Sequence, residues 1–372
     1  MFRLKIPDGI DRPVPVYQGR PLEAGKEYLC TNRFVGQLLL SQYRTKIRGR
    51  SYPIRTLLKV QSWRAMKPLL LPNTDWNNRD LWLCRGGGWG DLLAMTPLVQ
   101  EILGRWPNCR LHIACGSSNH DLFHGLNVTC ELIPVPFQPH LMVVDFEELV
   151  EGDPAAEKSH LIDLFADRAG IQITNRKIHY EVRLEEFNEA VLRYPKGSKP
   201  RIGVQFMASA LYRTYPNMQF VIKELAKENE ILVFGTPGQV EFKPHPNVHN
   251  LMADKLSFRQ SAAVLSTCDV CVAPDSALVH LCAALDVPCV ALYGPIPSSL
   301  RVSGDKTHGI DGTAPCAPCF FHADRSTDFP TGKPCAKEYK CIALDAIPVE
   351  TVVNKVKQLI AQGTTPCERA PR

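Results

Sequence analysis

From residue 81 onward, short apolar runs alternate with longer stretches in which apolar residues recur every three or four positions. The run "LWLCR" (81–85) predicts a strand, and "LLAMTPLVQEILGRW" the helix after it. "RLHIAC" (110–115) and "CELIPVP" (130–136) predict two more strands, with a short helix, "HDLFHGL", between them. Apolar spacing at Leu161, Leu164, Phe165 and Ala169 predicts a helix over 160–171. Strands separated by helices imply a parallel sheet covered on both faces.

A polar break, "YPKGSKP" (194–200), reads as a linker, after which the alternation restarts. Four strands are predicted there, "RIGVQFM", "EILVFG", "DVCVAP" and "PCVALYG", with the helices "NMQFVIKELAKEN", "SFRQSAAVLSTC" and "SALVHLCAAL" between them. A closing helix, "PVETVVNKVKQLIAQG", precedes a short tail. The reading is an α/β chain of two Rossmann-like lobes facing a cleft. It has an extension at 1–80, a first lobe at 81–197, a second at 198–362 and a flexible tail at 363–372. Ligands of such sheets bind beyond the carboxyl ends of the strands, so the cleft is the expected site.

The 372 residues, 45% apolar and 22% charged, suit a soluble globular protein of two domains. No window approaches the roughly 18–20 uninterrupted apolar residues of a membrane span. The first twenty residues lack the apolar core of a secretory signal, so a cytoplasmic location is expected. Cys271, Cys282 and Cys289 stand in apolar runs, where a reduced thiol acts as a small hydrophobe. The net charge of +5 conceals an asymmetry: residues 1–70 carry 14 Lys and Arg against 4 Asp and Glu. With Tyr28, Phe34, Tyr43, Tyr52 and Trp63 interleaved, this segment is either a solvated basic surface or a binder of nucleic acid or another anionic surface.

Three constellations carry candidate chemistry. In "CRGGGWGDLLAMTP" (84–97) a glycine turn joins strand to helix. It lacks the G-K-[ST] of a triphosphate loop and fails G-x-G-x-x-G, because position 91 is Asp. Gly88, Trp89 and Gly90 leave room for a ligand, and Asp91 at the helix start is either an N-cap or a reactive carboxylate. In "APDSALVHLCAAL" (273–285) a strand ends at Asp275, and Ser276 opens a helix that is apolar almost all round. Ser276 and His280, four apart, share one face near its N-terminus, where an anion is favoured. His280 is either part of a diphosphate site or a buried histidine satisfied by a carbonyl. In "GVQFMASALYRTYP" (203–216), Ser209 and Arg213 precede an aromatic-Pro pair, and Arg213 is either a surface residue or a fork for phosphate.

Taken together, these motifs resemble glycosyltransferase family 9, the ADP-heptose:lipopolysaccharide heptosyltransferases. "GGGWGDLLAMTP" is similar to the family's GDxLxxTP signature, and "ASALYRTYP" to its Ser/Thr-Lys-aromatic-Pro segment. "APDSALVHLCAALDVPCVALYGP" is similar to its D-[ST]-G-x-x-H pattern. The resemblance covers about residues 81–360. It implies a GT-B fold and inverting transfer of a heptose or similar sugar from a nucleotide-diphosphate donor to an acceptor such as lipopolysaccharide core, with no required metal or cofactor. By position, Asp91 stands at the catalytic base, Arg213 at the lysine that meets the diphosphate, and Asp275, Ser276, Ala277 and His280 at the donor-binding turn. Lysine has become Arg213, the motif glycine has become Ala277, and the basic extension is additional.

Cys316, Cys319, Cys335 and Cys341 have an order suited either to a structural zinc or to free thiols. Three other functions share this fold: a transferase that modifies nucleic acid, a catalytically silent binding module, and a sugar-nucleotide epimerase. A heptosyltransferase acting at the inner membrane surface would meet its acceptor as a peripheral protein.

Overall fold

The computed structural model describes residues 71, 74–86, 88–132, 143–146, 149–236, 245–320 and 340–363, together with short strands between residues 2 and 62. Within the extension, Phe2–Lys5 pairs antiparallel with Glu27–Cys30 and with Gln61–Ser62. Its side chains lie outside the described residues, and with them the expected nucleic-acid or anionic-surface contacts. Cys335 and the tail beyond residue 363 also lie outside them.

The first lobe holds a four-stranded parallel sheet built from β1 (Asp80–Cys84), β2 (Arg110–Cys115), β3 (Thr129–Leu132) and β4 (Val143–Asp145). Their spatial order is β3-β2-β1-β4. Helix α1 (Trp89–Arg105) buries Leu92, Leu93, Met95, Leu98, Val99 and Ile102. It is followed by α2 (Leu149–Gly152), α3 (Leu161–Ala169) and α4 (Leu184–Arg193). Gly170 ends α3 in the left-handed region at φ 68°, a conformation that costs a glycine nothing.

The second lobe holds a six-stranded parallel sheet of β5 (Arg201–Gln205), β6 (Glu230–Phe234), β7 (Val248–Asn250), β8 (Val270–Pro274), β9 (Cys289–Tyr293) and β10 (Thr307–Asp311). The order β7-β6-β5-β8-β9-β10 is 3-2-1-4-5-6 in chain sequence, that of a dinucleotide-binding sheet. β8 and β9 are buried along their whole length, which is why they read as unbroken apolar runs. Helices α5 (Met218–Leu225), α6 (Phe258–Ser266), α7 (Ala277–Ala284), α8 (Ile342–Asp345) and α9 (Val349–Gln362) complete the lobe. A reciprocal Ser257–Gln260 capping box starts α6.

Helix α7 is apolar all round because it is enclosed between its own sheet and α1 of the other lobe. One continuous apolar core therefore runs from Leu92 and Leu93 through Leu278 and Leu281. The last helix of the first lobe, α4, packs on α6, where buried Arg259 pairs with Glu186 and donates to the carbonyls of Asp121 and Glu181.

Candidate functional site

In a doubly wound sheet the strand order reverses beside the first strand, and the loops there part to leave a crevice. In the second lobe that point lies between β5 and β8. Ser276, extended at φ −159° and ψ 170°, does not cap α7; its hydroxyl crosses the reversal and donates to Gln205 Oε1 at 2.7 Å. The first amides of α7 thus receive no side-chain cap from Ser276, as an anion site requires. Asp275, 7% exposed, stands at the end of β8, with Arg213 Nη1 4.0 Å from its Oδ2. Arg213 Nη2 donates to Ser209 Oγ at 2.9 Å. The turn carrying both is held by Thr214, whose hydroxyl donates to Ala210 O and accepts from Ala208 N, and by the buried Tyr215 hydroxyl on Ile347 O.

His280 is 4% exposed, and among the described residues its Nδ1 has no hydrogen-bond partner. The expectation of a histidine satisfied by a carbonyl therefore fails at that atom. Burial pushes the imidazole down to about 4, against the raising effect of Asp275 and Asp91 and with help from Arg301. It is neutral at neutral pH.

The first lobe meets this pocket through the start of α1. Gly88 is its N-cap, and a Cβ there would meet nothing within 4 Å, so the approach from that side is open. Asp91 is not the cap; it lies in the first turn, with its own N–H on Gly88 O. A Cβ on Gly90 would lie 3.1 Å from His280 Cδ2 and 3.4 Å from Ala277 Cα, so only a residue without one fits easily between the two helix starts. Trp89 donates to Asn119 Oδ1 at 2.7 Å and packs edge-on against Phe258 of the second lobe.

The Asp91 carboxylate is paired with Arg85, which follows β1 and is 1% exposed. Arg85 also reaches Glu151 with both terminal nitrogens, at 2.6 and 3.0 Å, and donates to Phe146 O. Burial by itself raises the Asp91 carboxyl; Arg85, with Arg301 and His280 behind it, outweighs burial and holds the group below its usual value. Sequence reading missed Arg85, Glu151, Gln205 and Arg301. A charged residue directly after an apolar strand was the one available signal, and it pointed only to Arg85.

The "TP" of the first motif has a structural explanation. Pro97 lacks the N–H that would serve Leu93 O, and the Thr96 hydroxyl supplies a donor to that carbonyl at 2.7 Å. The Thr96 hydroxyl oxygen in turn accepts the His179 N–H.

Among the described residues, the one grouping of three possible metal ligands is Cys271, Cys282 and Cys289, all buried in the core that joins the two lobes. Cys316, Cys319 and Cys341 do not form such a grouping.

The sequence model of glycosyltransferase family 9 (heptosyltransferase) matches residues 153–328. Over 66 residues the chain is 42% identical to lipopolysaccharide heptosyltransferase 1 of Pseudomonas aeruginosa, a stretch that is 18% of this chain and 19% of that relative. Among solved structures, ADP-heptose LPS heptosyltransferase II of E. coli superposes with a TM-score of 0.54 at 14% identity, over 76% of this chain and 99% of that one. The dodecameric iron-containing heptosyltransferase TibC in complex with ADP-D-β-D-heptose gives 0.56 at 14%, over 78% and 79%. The fold is thus GT-B, and the similarity to glycosyltransferase family 9 lies in residues 153–328, from the end of the first lobe through most of the second.

Proposed function

We propose that the chain transfers a heptose or similar sugar, with inversion, from a nucleotide-diphosphate donor to an acceptor hydroxyl. We take 81–197 as the lobe that receives the acceptor and 198–362 as the lobe that holds the donor. The observation that carries this reading is the convergence of Asp91 from α1 with the start of α7 and His280. One lobe supplies a carboxylate, and the other an anion pocket against it. In the reaction the acceptor oxygen attacks the anomeric carbon while its proton passes to Asp91. The bond from that carbon to the diphosphate oxygen breaks, and its electron pair leaves with the nucleotide. On this reading Arg213, the α7 amides and His280 stabilise the charge that grows there.

An ADP-heptose donor and a lipopolysaccharide core acceptor are supported by what the matched relatives are named for and, in TibC, hold. The charge stabilisation described needs no metal ion at the reacting centre. Among the described residues no helix is long and apolar enough to cross a membrane, which is compatible with peripheral action on a lipid-linked acceptor.

The test is Asp91→Asn. Removing a general base is expected to lower turnover by about 10²–10⁴ while donor affinity, read by thermal shift with ADP-sugars, is kept. Turnover near the wild-type rate would remove Asp91 from the role of base. A chain that binds donor but turns over no acceptor even as wild type would be a binding module.

A further inference from the structure

The strand order of the first sheet reverses between β1 and β4, and Arg85 bridges that reversal: it follows β1 and donates to Phe146 O, just beyond β4. Its guanidinium is shared between two carboxylates. Glu151 takes both terminal nitrogens in a fork, fixing the plane of the group, and Asp91 Oδ2 takes the outward one. The Asp91 side chain retains 22% exposure, and its Oδ1 accepts no hydrogen bond from the described residues. One oxygen of the carboxylate is tethered and the other is available.

We infer that Arg85, anchored by Glu151, is a positioning residue that keeps Asp91 ionised in a desolvated site and presents its free oxygen to the acceptor hydroxyl. The inference rests on Asp91 being the base. Without Arg85, burial and the neighbouring Glu151 carboxylate would both favour a protonated Asp91, which cannot take a proton. The other charged or titratable groups facing Asp91 are Arg301 and His280 of the second lobe. They belong to the partner surface of the junction, whereas the Arg85–Glu151 pair belongs to the same lobe as Asp91 and travels with it. An arginine suits the task because its planar fork can hold one carboxylate in bidentate fashion and still offer a donor to another.

The experiment is the pH dependence of kcat/KM for the full chain and for Arg85→Met, Arg85→Lys and Glu151→Gln, with donor affinity measured alongside. In the wild type, rate loss from protonating Asp91 should set in only below the ordinary carboxylate range. Arg85→Met should move that limb to higher pH and lower kcat at least a hundredfold at neutral pH, with donor affinity kept. Arg85→Lys should return the limb to its low position while kcat stays roughly tenfold down, because charge is restored without the fork. Glu151→Gln should leave the limb low and reduce kcat severalfold.

An unmoved limb in Arg85→Met, or Arg85→Lys no better than Arg85→Met, would overturn the inference. If Arg85→Met does not fold, Glu151→Gln with wild-type kcat would do the same. Asp91→Asn separates the two levels: an active Asp91→Asn variant defeats the base itself. An inactive one with an unmoved limb in the Arg85 variants defeats only the clamp.

Discussion

The imidazole of His280 is buried among the charged groups Asp275, Asp91 and Arg301, and burial decides its charge state. Unfolded, it takes a proton near 6.5; folded, not until about 4. Between those values the unfolded chain binds more protons, so stability falls as pH drops from about 6.5 to 4, by roughly 3 kcal/mol in total. His280→Leu should flatten that part of a plot of melting temperature against pH, and an unchanged slope would assign the dependence elsewhere. The depressed carboxyl of Asp91 acts at more acid pH, because its contribution is lost only as pH falls below the ordinary carboxylate range. Asp91, Asp275, Ser276 and His280 were legible in the sequence because each stands at a strand end or helix start within a few residues of its motif. Glu151 was not, since it is 66 residues from Arg85 and only the fold brings them together.

At the scale of elements, α1 shows how a helix tolerates a proline. The Thr96 hydroxyl closes the gap that Pro97 opens at Leu93 O and also receives His179 N–H, so one side chain satisfies two buried backbone groups. Thr96→Val should cost about 1–3 kcal/mol in denaturant unfolding, with Thr96→Ser close to wild type. Equal stability of all three would show that water or a backbone shift serves those groups. The strands read correctly from sequence, such as β5, β6, β8 and β9, have apolar residues on both faces. The edge strand β10 was missed because "THGID" is half exposed, and β7 is only three residues long. Helix α4 was missed for a related reason: it buries only Ala190, while Leu184 and Leu192 are 57% and 82% exposed, so its apolar residues mark no buried face.

At the scale of the molecule, the two lobes are joined by a core that runs through α1 and α7, and Gly90 stands where the starts of those two helices meet. A side chain there must displace His280 or separate the helices. Gly90→Val should weaken donor binding tenfold or more and enlarge the radius of gyration measured by small-angle scattering. Unaltered affinity and scattering would mean that the junction tolerates the extra bulk without opening. Two-lobe organisation was legible from the restart of alternation after residue 200. The closeness of the lobes was not, because nothing local marks Gly90 as a contact rather than a turn residue.

That junction sets two helix N-termini against each other, each bearing a fraction of positive charge from its unpaired amides. Asp91 offsets part of this from one side, but like poles still face one another when nothing negative lies between. A pyrophosphate held beside the two ends, rather than between them, would offset both, so on the proposed reading donor should bind before acceptor.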